Sequence, residues 1–147
     1  MARIAINGFG RIGRLFFRRA FSAKGGSAAG GGAGLDIVAI NDLGDLENLA
    51  YLLQYDTVYR RYERQVTYDK EKGVLVVDGE EVKVFQEKDP AKLPWKELKV
   101  DVVVESTGAF ESFESAKAHL KAGAKKVVIT APAKDEERDD AKTVLLG

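Results

Sequence analysis

The sequence predicts an α/β fold in which a doubly wound, mostly parallel sheet is interrupted by an inserted antiparallel meander. Three observations favour this fold. Short apolar runs alternate with segments of helical periodicity, and a glycine-rich turn joins the first run to the first helix. Between residues 65 and 85 the apolar period changes to two, as in paired antiparallel strands. A chain of 147 residues is long enough for a sizeable core, so we expect residues 1–147 to form a single domain.

The first strand and the turn after it carry the clearest functional signal. Arg3–Ile6 is an apolar run typical of a buried strand, and Gly8, Gly10 and Gly13 then form G-x-G-x-x-G ahead of a helical pattern. In a Rossmann-type fold the first glycine permits the tight turn, the second lets a pyrophosphate approach the backbone, and the third lets the helix pack against the sheet. Because a strand precedes the motif and a helix follows it, the sequence predicts a dinucleotide site with phosphates at the helix N-terminus.

The second strand is expected at Leu35–Asn41, after a first helix that runs from about Arg11 to Ala23. The segment between them, Lys24–Gly34, is too rich in glycine to continue the helix. We interpret it as a tolerated loop insertion, because long surface loops add little to the free energy of folding. A hinge or a partner-binding loop is the alternative interpretation.

Asp42 follows the second strand, where a Rossmann-type unit needs an acid to accept hydrogen bonds from the adenosine ribose hydroxyls. It lies further from Gly8 than the usual spacing of about 20 residues, and the Lys24–Gly34 insertion accounts for the excess. A helix cap or a solvated acid is the alternative for this residue. A 2′-phosphate about 4 Å from Asp42 would be opposed by about 4 kcal/mol per unit charge at an effective dielectric constant of about 20. Because Leu43 and Gly44 follow rather than an arginine, we predict NAD over NADP.

The next segments predict a helix, an aromatic loop and the meander. Asp45 is the expected N-cap of a helix over Leu46–Leu53. Gln54–Tyr62 interleaves tyrosines with arginines, but without a wider basic patch we interpret it as a structured loop rather than a nucleic-acid contact. Antiparallel strands, the last two joined by a hairpin turn at Asp78-Gly79, are expected at Gln65–Tyr68, Val74–Val77 and Glu81–Phe85.

A further strand and turn are expected at Val100–Glu105 and Ser106-Thr107-Gly108. Because ligands of doubly wound sheets lie at the carboxyl ends of the strands, we expect this turn to bring backbone donors near the cofactor. The turn alone is weak evidence, since Ser-Thr-Gly is also an ordinary turn sequence.

The last part of the chain predicts one more helix and strand. Ser112 is the expected cap of a helix that ends at Gly123 and places Phe113, Ala116 and Leu120 against the sheet. His119, the one histidine, lies in that helix, and we interpret it as surface-facing and without a catalytic role. Beyond the helix we expect a strand, a solvated loop or helix start, and another apolar run of strand character, at Lys126–Thr130, Lys134–Asp140 and Thr143–Leu146.

Composition excludes several function classes. Lys plus Arg and Asp plus Glu are 23 each, so there is no basic field to attract nucleic acid and no polybasic stretch for a membrane surface. Long apolar stretches and a signal-peptide pattern are missing, so we expect no membrane partner and a cytoplasmic location. With no cysteine, the chain has neither a thiolate metal site nor a cysteine nucleophile, and we expect no catalytic and no metal-binding residue in it.

Short motifs follow one another in a specific order along nearly the whole chain: Asn7–Arg14, Ala39–Asp42, Tyr55–Thr57, Asp78-Gly79, Phe85–Pro90, Glu105–Gly108, Gly123–Lys126 and Thr130–Pro132. Together they closely resemble the NAD-binding half of phosphorylating glyceraldehyde-3-phosphate dehydrogenases. The chain departs from that pattern in the length of Lys24–Gly34. It departs also at Tyr59-Arg60, where the family more often has a histidine followed by glycine.

The resemblance implies a role for each candidate residue. Arg11 and Ile12 would supply backbone donors to the pyrophosphate, and Lys88 would line the adenine side. Thr107 and Gly108 would border the ribose and the pyrophosphate, and Thr130 would lie nearer the nicotinamide ribose. The candidate NAD-binding residues are therefore Asn7, Gly8, Phe9, Gly10, Arg11, Ile12, Asp42, Lys88, Ser106, Thr107, Gly108 and Thr130.

In the family that the chain resembles, a cysteine thiolate activated by a histidine attacks the aldehyde, hydride passes to NAD, and phosphate releases the acyl-enzyme. The resemblance places that cysteine beyond Gly147, in a catalytic domain that would be the partner of this one, and implies a homotetramer for the full-length protein. We therefore expect this chain to bind NAD but not, alone, to oxidise glyceraldehyde 3-phosphate to 1,3-bisphosphoglycerate in glycolysis. Half of an erythrose-4-phosphate dehydrogenase, or a stand-alone non-catalytic nucleotide-binding module, are the alternatives.

Overall fold

The computed structural model of the chain describes residues 1–24 and 35–145. Its helices and strands, in chain order, are β1 (Ala2–Asn7), α1 (Arg11–Lys24), β2 (Leu35–Asn41), α2 (Leu46–Gln54), β3 (Tyr55–Asp56), β4 (Arg60–Arg61), β5 (Val66–Asp69), β6 (Val74–Val77), β7 (Glu80–Phe85), a 3-10 helix (Pro90–Lys92), β8 (Val102–Glu105), α3 (Phe113–Lys121) and β9 (Lys126–Ile129). The insertion predicted at Lys24–Gly34 lies outside the described residues, apart from Lys24 at the end of α1. None of the helices in the described ranges is long and apolar enough to span a membrane.

Most of the strands form one sheet with the order β5-β6-β7-β2-β1-β8-β9. The strands from β7 to β9 in this order are parallel, and β5 and β6 join them as antiparallel neighbours. The predicted mostly parallel sheet with a meander is therefore confirmed. The last strand of the meander, β7, pairs in parallel with β2, so the meander extends the edge of the sheet instead of standing apart from it.

The sheet separates two apolar layers because successive strand residues point to opposite faces. Ile4 and Ile6 pack on one face, in a cluster with Phe17 of α1 and Leu53 of α2. Between them in sequence, Ala5 packs on the other face in a cluster with Trp95. The central parallel strands β1, β2 and β8 are thus covered on both sides, as their apolar sequences require, whereas the edge strand β9 leaves Val128 exposed.

Turn and cap chemistry agrees with the sequence at most positions. The carboxylate of Asp45 accepts hydrogen bonds from backbone N–H groups in the first turn of α2, and Ser112 caps α3. Asp78 and Gly79 have φ values of 49° and 82°, as a tight hairpin turn requires. Gly123, at φ 108°, ends α3. These local predictions are confirmed.

The helix α3 packs through a different face from the one expected. Ala116 and His119 are buried, whereas Leu120 is 42% exposed. The predictions that Leu120 faces the sheet and that His119 faces solvent are therefore wrong. A helix that buries position 116 brings position 119, three residues later, to the same side. On that side the imidazole hydrogen-bonds with Glu105.

Of the two segments after β9, the first settles an open expectation and the second departs from one. Lys134–Asp140 forms a loop, not a helix, and Asp135 in it accepts hydrogen bonds from the N–H groups of Phe113 and Glu114 at the start of α3. The run that begins at Thr143 forms no strand within the described residues, and Val144 and Leu145 are 80% and 89% exposed. The strand expectation for Thr143–Leu145 is therefore wrong, because no neighbouring strand pairs with these residues here.

Candidate functional site

The carboxyl ends of the central strands form one edge with a cavity of about 430 Å³. This volume is within the usual range for small-molecule sites, and the edge is where doubly wound sheets bind ligands. Most of the predicted site residues line it, namely Asn7, Gly8, Gly10, Asp42, Lys88, Ser106 and Thr107, together with Asn41, Leu43, Glu87, Ala109 and Phe110, which the sequence did not single out.

The glycine turn, Gly8–Gly13, gives each of its glycines a distinct setting. Gly8 has a φ of 92°, and a Cβ there would lie 2.6 Å from the backbone nitrogen of Thr107. A Cβ on Gly13 would lie 2.1 Å from the carbonyl oxygen of Gly8, so the helix packs closely on the turn. A Cβ on Gly10 would meet nothing within 4 Å. Side chains are excluded by protein atoms at Gly8 and Gly13, whereas the space at Gly10 is open for a ligand.

The N-terminus of α1 points its N–H groups at this edge. The first helical hydrogen bond runs from the N–H of Arg14 to the carbonyl of Gly10, so the N–H groups of Arg11 and Ile12 precede any helical acceptor. Both residues are exposed, and no acidic side chain lies in the first turn of α1. The positive end of the helix dipole and these donors suit an anionic group such as a phosphate.

Asp42 lies beside the glycine turn and is held by backbone donors. Its two carboxylate oxygens accept hydrogen bonds from the N–H of Phe9 at 2.7 Å and from the N–H of Gly44 at 2.8 Å. Each oxygen keeps a further lone pair, because an ionised carboxylate can accept about four hydrogen bonds. Asp42 can therefore accept from ligand hydroxyls while its orientation is fixed. Phe9 itself is buried in the core, so its contribution to the edge comes from its backbone.

The β8 turn, Ser106–Ala109, uses its donors within the protein. The N–H of Ser106 donates to the carbonyl of Asn7, and the hydroxyl of Ser106 donates to the carbonyl of Gly8. The N–H of Thr107 donates to Glu105, and the N–H of Ala109 donates to the hydroxyl oxygen of Thr107. Of the predicted turn Ser106-Thr107-Gly108, the backbone donors of Ser106 and Thr107 are therefore engaged within the protein and are not available to a cofactor. The turn offers hydroxyl lone pairs instead.

The remaining predicted residues lie at the margins of the edge. Lys88 is exposed and lines the cavity beyond β7. Gly108 has a φ of 75°, within the β8 turn. Thr130 follows β9, and both its N–H and its hydroxyl donate to the carbonyl of Glu105. The structure thus brings the glycine turn, Asp42 and the β8 turn together around one cavity, with Thr130 one strand further along.

A buried polar network lies beneath the edge, and sequence reasoning missed its centre. Asn7 is in register with Asn41 on one side and with Glu105 on the other. The side chain of Asn7 donates to Glu105 at 2.6 Å and accepts from Asn41 at 2.8 Å. His119 reaches this row from α3, with its Nε2 2.7 Å from a carboxylate oxygen of Glu105. Two signals could have revealed it: an acid in an apolar strand needs a partner, and His119 follows Ala116 by three residues.

The protonation of this pair follows from its neighbours. The indole Nε1 of Trp95 lies 3.1 Å from Nδ1 of His119, and an indole N–H only donates. Nδ1 must therefore accept, so Nε2 carries the proton and donates to Glu105. Burial raises the pKa of Glu105, but hydrogen bonds from His119, Thr107 and Asn7 together outweigh it and hold the pKa below its usual value. The pair is thus a neutral histidine and an ionised glutamate.

The edge presents hydrogen-bonding groups, namely the N–H groups at the start of α1, the carboxylate of Asp42 and the hydroxyl oxygen of Thr107. The chain has no cysteine, and both ring nitrogens of its one histidine are engaged below the surface. In residues 1–24 and 35–145, no three His, Cys, Asp or Glu side chains are grouped as metal ligands. A wider depression of about 660 Å³ between α2 and β5 lies away from the strand ends and contains none of the predicted site residues.

Comparison with known proteins identifies what the chain resembles. A family model described as the NAD-binding domain of glyceraldehyde 3-phosphate dehydrogenase matches residues 2–113. A glyceraldehyde-3-phosphate dehydrogenase of Thermotoga maritima is 54% identical over 137 residues, which cover 93% of this chain and 38% of that protein. The enzyme of the same name from Clostridium acetobutylicum is 48% identical over 158 aligned residues, covering 100% of this chain and 44% of the relative.

A third relative, a glyceraldehyde-3-phosphate dehydrogenase of Borreliella burgdorferi, is 49% identical over 150 residues, covering 99% of this chain and 40% of that protein. The chain therefore spans 38% to 44% of the length of these relatives. The matched family region contains the glycine turn, Asp42, Lys88 and the β8 turn, and it ends before Thr130.

Proposed function

This chain belongs to the family of glyceraldehyde-3-phosphate dehydrogenase NAD-binding domains, and from that premise we propose that the cavity at the carboxyl edge of its sheet is an NAD site. The observation that carries the proposal is a convergence of complementary groups. The carboxylate of Asp42 and the backbone of Gly10 line one cavity, and the helix N–H donors of Arg11 and Ile12 follow Gly10 directly in the chain. A dinucleotide has phosphates for the donors and ribose hydroxyls for the carboxylate.

The residues present fit this cofactor. Gly10 leaves open space beside the donors, so a pyrophosphate can approach the backbone of the glycine turn. We assign the adenosine ribose to Asp42, the adenine side to Lys88 and the pyrophosphate to Arg11 and Ile12. The remaining members of the proposed site are Asn7, Gly8, Phe9, Ser106, Thr107, Gly108 and Thr130. Bound there, NAD supplies a hydride acceptor, and the chain's own residues bind and orient it.

We propose further that the whole protein oxidises glyceraldehyde 3-phosphate to 1,3-bisphosphoglycerate with NAD and inorganic phosphate. The names of the relatives support this activity. The present residues contain no cysteine, so the thiolate that attacks the aldehyde comes from outside residues 1–147. A tetrameric assembly and a cytoplasmic location belong to the same proposal and rest on the family alone.

Titration of the purified chain with NADH and with NADPH, followed by nucleotide fluorescence, tests the binding proposal. We expect saturable binding of NADH that is at least about tenfold tighter than that of NADPH, because the charge of Asp42 opposes a 2′-phosphate. Equal affinity for both nucleotides would contradict the assignment of Asp42, and no binding of either would contradict the proposed site.

A turnover assay tests the division of roles. The purified chain, given glyceraldehyde 3-phosphate, NAD and phosphate, is expected to produce no NADH above a control without protein. Substantial phosphate-dependent NADH formation would show that these residues catalyse the reaction without a cysteine and would overturn the proposal.

A further inference from the structure

The carboxylate of Glu105 lies directly beneath the cavity and has four donors. One oxygen accepts from the N–H of Thr107 at 3.0 Å and from its hydroxyl at 2.5 Å. The other accepts from the side chain of Asn7 at 2.6 Å and from Nε2 of His119 at 2.7 Å. Glu105 is 2% exposed, and a buried carboxylate with this many donors stays ionised and fixed in orientation.

This arrangement determines what the hydroxyl of Thr107 can do. A threonine hydroxyl has one hydrogen, and an ionised carboxylate can only accept, so that hydrogen points down to Glu105. The oxygen also accepts from the N–H of Ala109 at 3.0 Å. What remains for a ligand in the cavity is a lone pair. Thr107 is exposed and lines the cavity, so it can accept from a ligand hydroxyl but cannot donate to a phosphate.

His119, on α3, supplies one of the donors to the Glu105 carboxylate. It is fully buried, and the N–H of Trp95 keeps its Nδ1 an acceptor, so its Nε2 always presents a donor to Glu105. Without that donor, one carboxylate oxygen would lose a charge-assisted hydrogen bond inside the protein, and the side chain could turn away from Thr107.

We propose that the buried Glu105–His119 pair positions the cofactor site, by holding the Thr107 hydroxyl as an acceptor aimed at a ribose hydroxyl of the bound nucleotide. This inference rests on the NAD-binding function proposed above and deepens it. Glu105 and His119 are positioning residues, because they act through Thr107 and Asn7 and do not line the cavity themselves. Because the Thr107 hydroxyl can then only accept, the β8 turn suits the ribose of the nucleotide rather than its pyrophosphate.

The test compares a matched pair of variants at one position. In His119→Gln the amide N–H can take the place of the imidazole Nε2–H, whereas His119→Leu has no donor, and both lose the bond from Trp95. We expect His119→Leu, like Glu105→Gln, to weaken NADH binding by about tenfold or more, and His119→Gln to stay within about threefold of the parent chain.

A control separates positioning from a general loss of stability. Val103 on β8 is fully buried in the layer around Trp95 and lies outside the hydrogen-bonded network. Val103→Ala is expected to lower the urea midpoint while the folded protein keeps its NADH affinity. If Val103→Ala weakens NADH binding as much as His119→Leu does, or if His119→Gln binds as poorly as His119→Leu, the positioning role is wrong.

A measurement without nucleotide distinguishes failure of this inference from failure of NAD binding. Amide hydrogen exchange at Thr107 reports on its bond to Glu105, and we expect it to be about tenfold faster or more in His119→Leu than in the parent or in His119→Gln. Unchanged exchange in His119→Leu overturns the inference even if the parent binds NADH. Faster exchange supports the hold of the Glu105–His119 pair on Thr107. A parent that then fails to bind NADH contradicts the proposed function, and with it the ribose role of Thr107, but leaves that hold standing.

Discussion

The glycine turn and the β8 turn occupy similar places in the fold but offer a ligand opposite hydrogen-bonding groups. Each follows one of two neighbouring parallel strands, β1 and β8, and each consists mainly of small residues. After β1 the chain enters α1 at once, so the N–H groups of Arg11 and Ile12 face outward without helical acceptors. After β8 the chain continues to Ser112 before α3 begins, and this longer connection lets the turn fold back onto Glu105.

This difference shows that a small-residue turn at the end of a strand does not by itself offer hydrogen-bond donors to a ligand. The first turn offers donors because a helix follows directly. The second offers hydroxyl oxygens as acceptors, because Glu105 takes the hydrogens of Thr107 and the carbonyls of Asn7 and Gly8 take those of Ser106. The two turns therefore suit different parts of one nucleotide, phosphate at the first and ribose at the second.

The largest expected effect is that of Gly13→Ala, which places a side chain in the close contact between α1 and the two turns. The new Cβ would lie 2.1 Å from the carbonyl oxygen of Gly8 and 3.0 Å from the hydroxyl of Ser106, so the helix must move off both turns. We expect the free energy of unfolding to fall by about 3–5 kcal/mol. Urea denaturation followed by circular dichroism measures this, and an unchanged midpoint would show that the turns do not depend on close packing.

Removing the carboxylate beneath the second turn, in Glu105→Gln, is expected to lower stability by about 2–4 kcal/mol at neutral pH. The folded protein holds the pKa of Glu105 below its usual value. The ionised group therefore stabilises the fold above about pH 4.3, and this contribution is lost as the pH falls through the lower, folded-state pKa. Urea midpoints measured from about pH 7 to about pH 3 should decline less in the variant than in the parent chain. Parallel curves would contradict an ionised Glu105.

Removing the acceptor beside the first turn, in Asp42→Ala, is expected to weaken NADH binding by about 1–3 kcal/mol and to narrow the preference over NADPH. Asp45→Ala is the matched control, because Asp45 caps α2 nearby but lies outside the cavity. The control should lose about 1 kcal/mol of stability with its NADH affinity intact. An unchanged ratio of NADH to NADPH affinity in Asp42→Ala would remove Asp42 from the site.

The smallest expected effect on stability is that of Gly10→Ala, because the new Cβ meets nothing within 4 Å. We expect the free energy of unfolding to change by no more than about 0.5 kcal/mol. NADH affinity should nevertheless fall, since the methyl group occupies the space that a pyrophosphate needs. A destabilisation as large as that of Gly13→Ala, or unaltered NADH binding, would each contradict the view that Gly10 is open for a ligand.

Features governed by local backbone rules were predictable from the sequence. The tight turn at Asp78-Gly79, the caps at Asp45 and Ser112, and the contact of Gly13 with Gly8 depend on residues close to one another in the chain. Their physical causes, positive φ, orphan N–H groups and missing Cβ atoms, can be read from the local sequence.

Features that depend on distant partners were not predictable in the same way. His119 was expected at the surface because its helix alone does not reveal that Glu105, in another element, lies under it. The donors of Thr107 were expected to face a ligand because the turn alone does not show which acceptor lies behind it. Likewise Thr143–Leu145 is apolar enough for a strand, yet pairing decides whether a strand forms.

The long sequence separation within the polar row bears on folding kinetics. Asn7 meets Glu105 and His119 across 98 and 112 positions of chain, whereas β6 and β7 meet through a tight hairpin. Closing long loops opposes early contact formation, so the hairpin is expected to assemble first and this edge late. Substitutions at Glu105 or His119 should then accelerate unfolding far more than they slow refolding. The network beneath the cavity thus governs how long the folded molecule lasts, while the hairpin governs how quickly it forms.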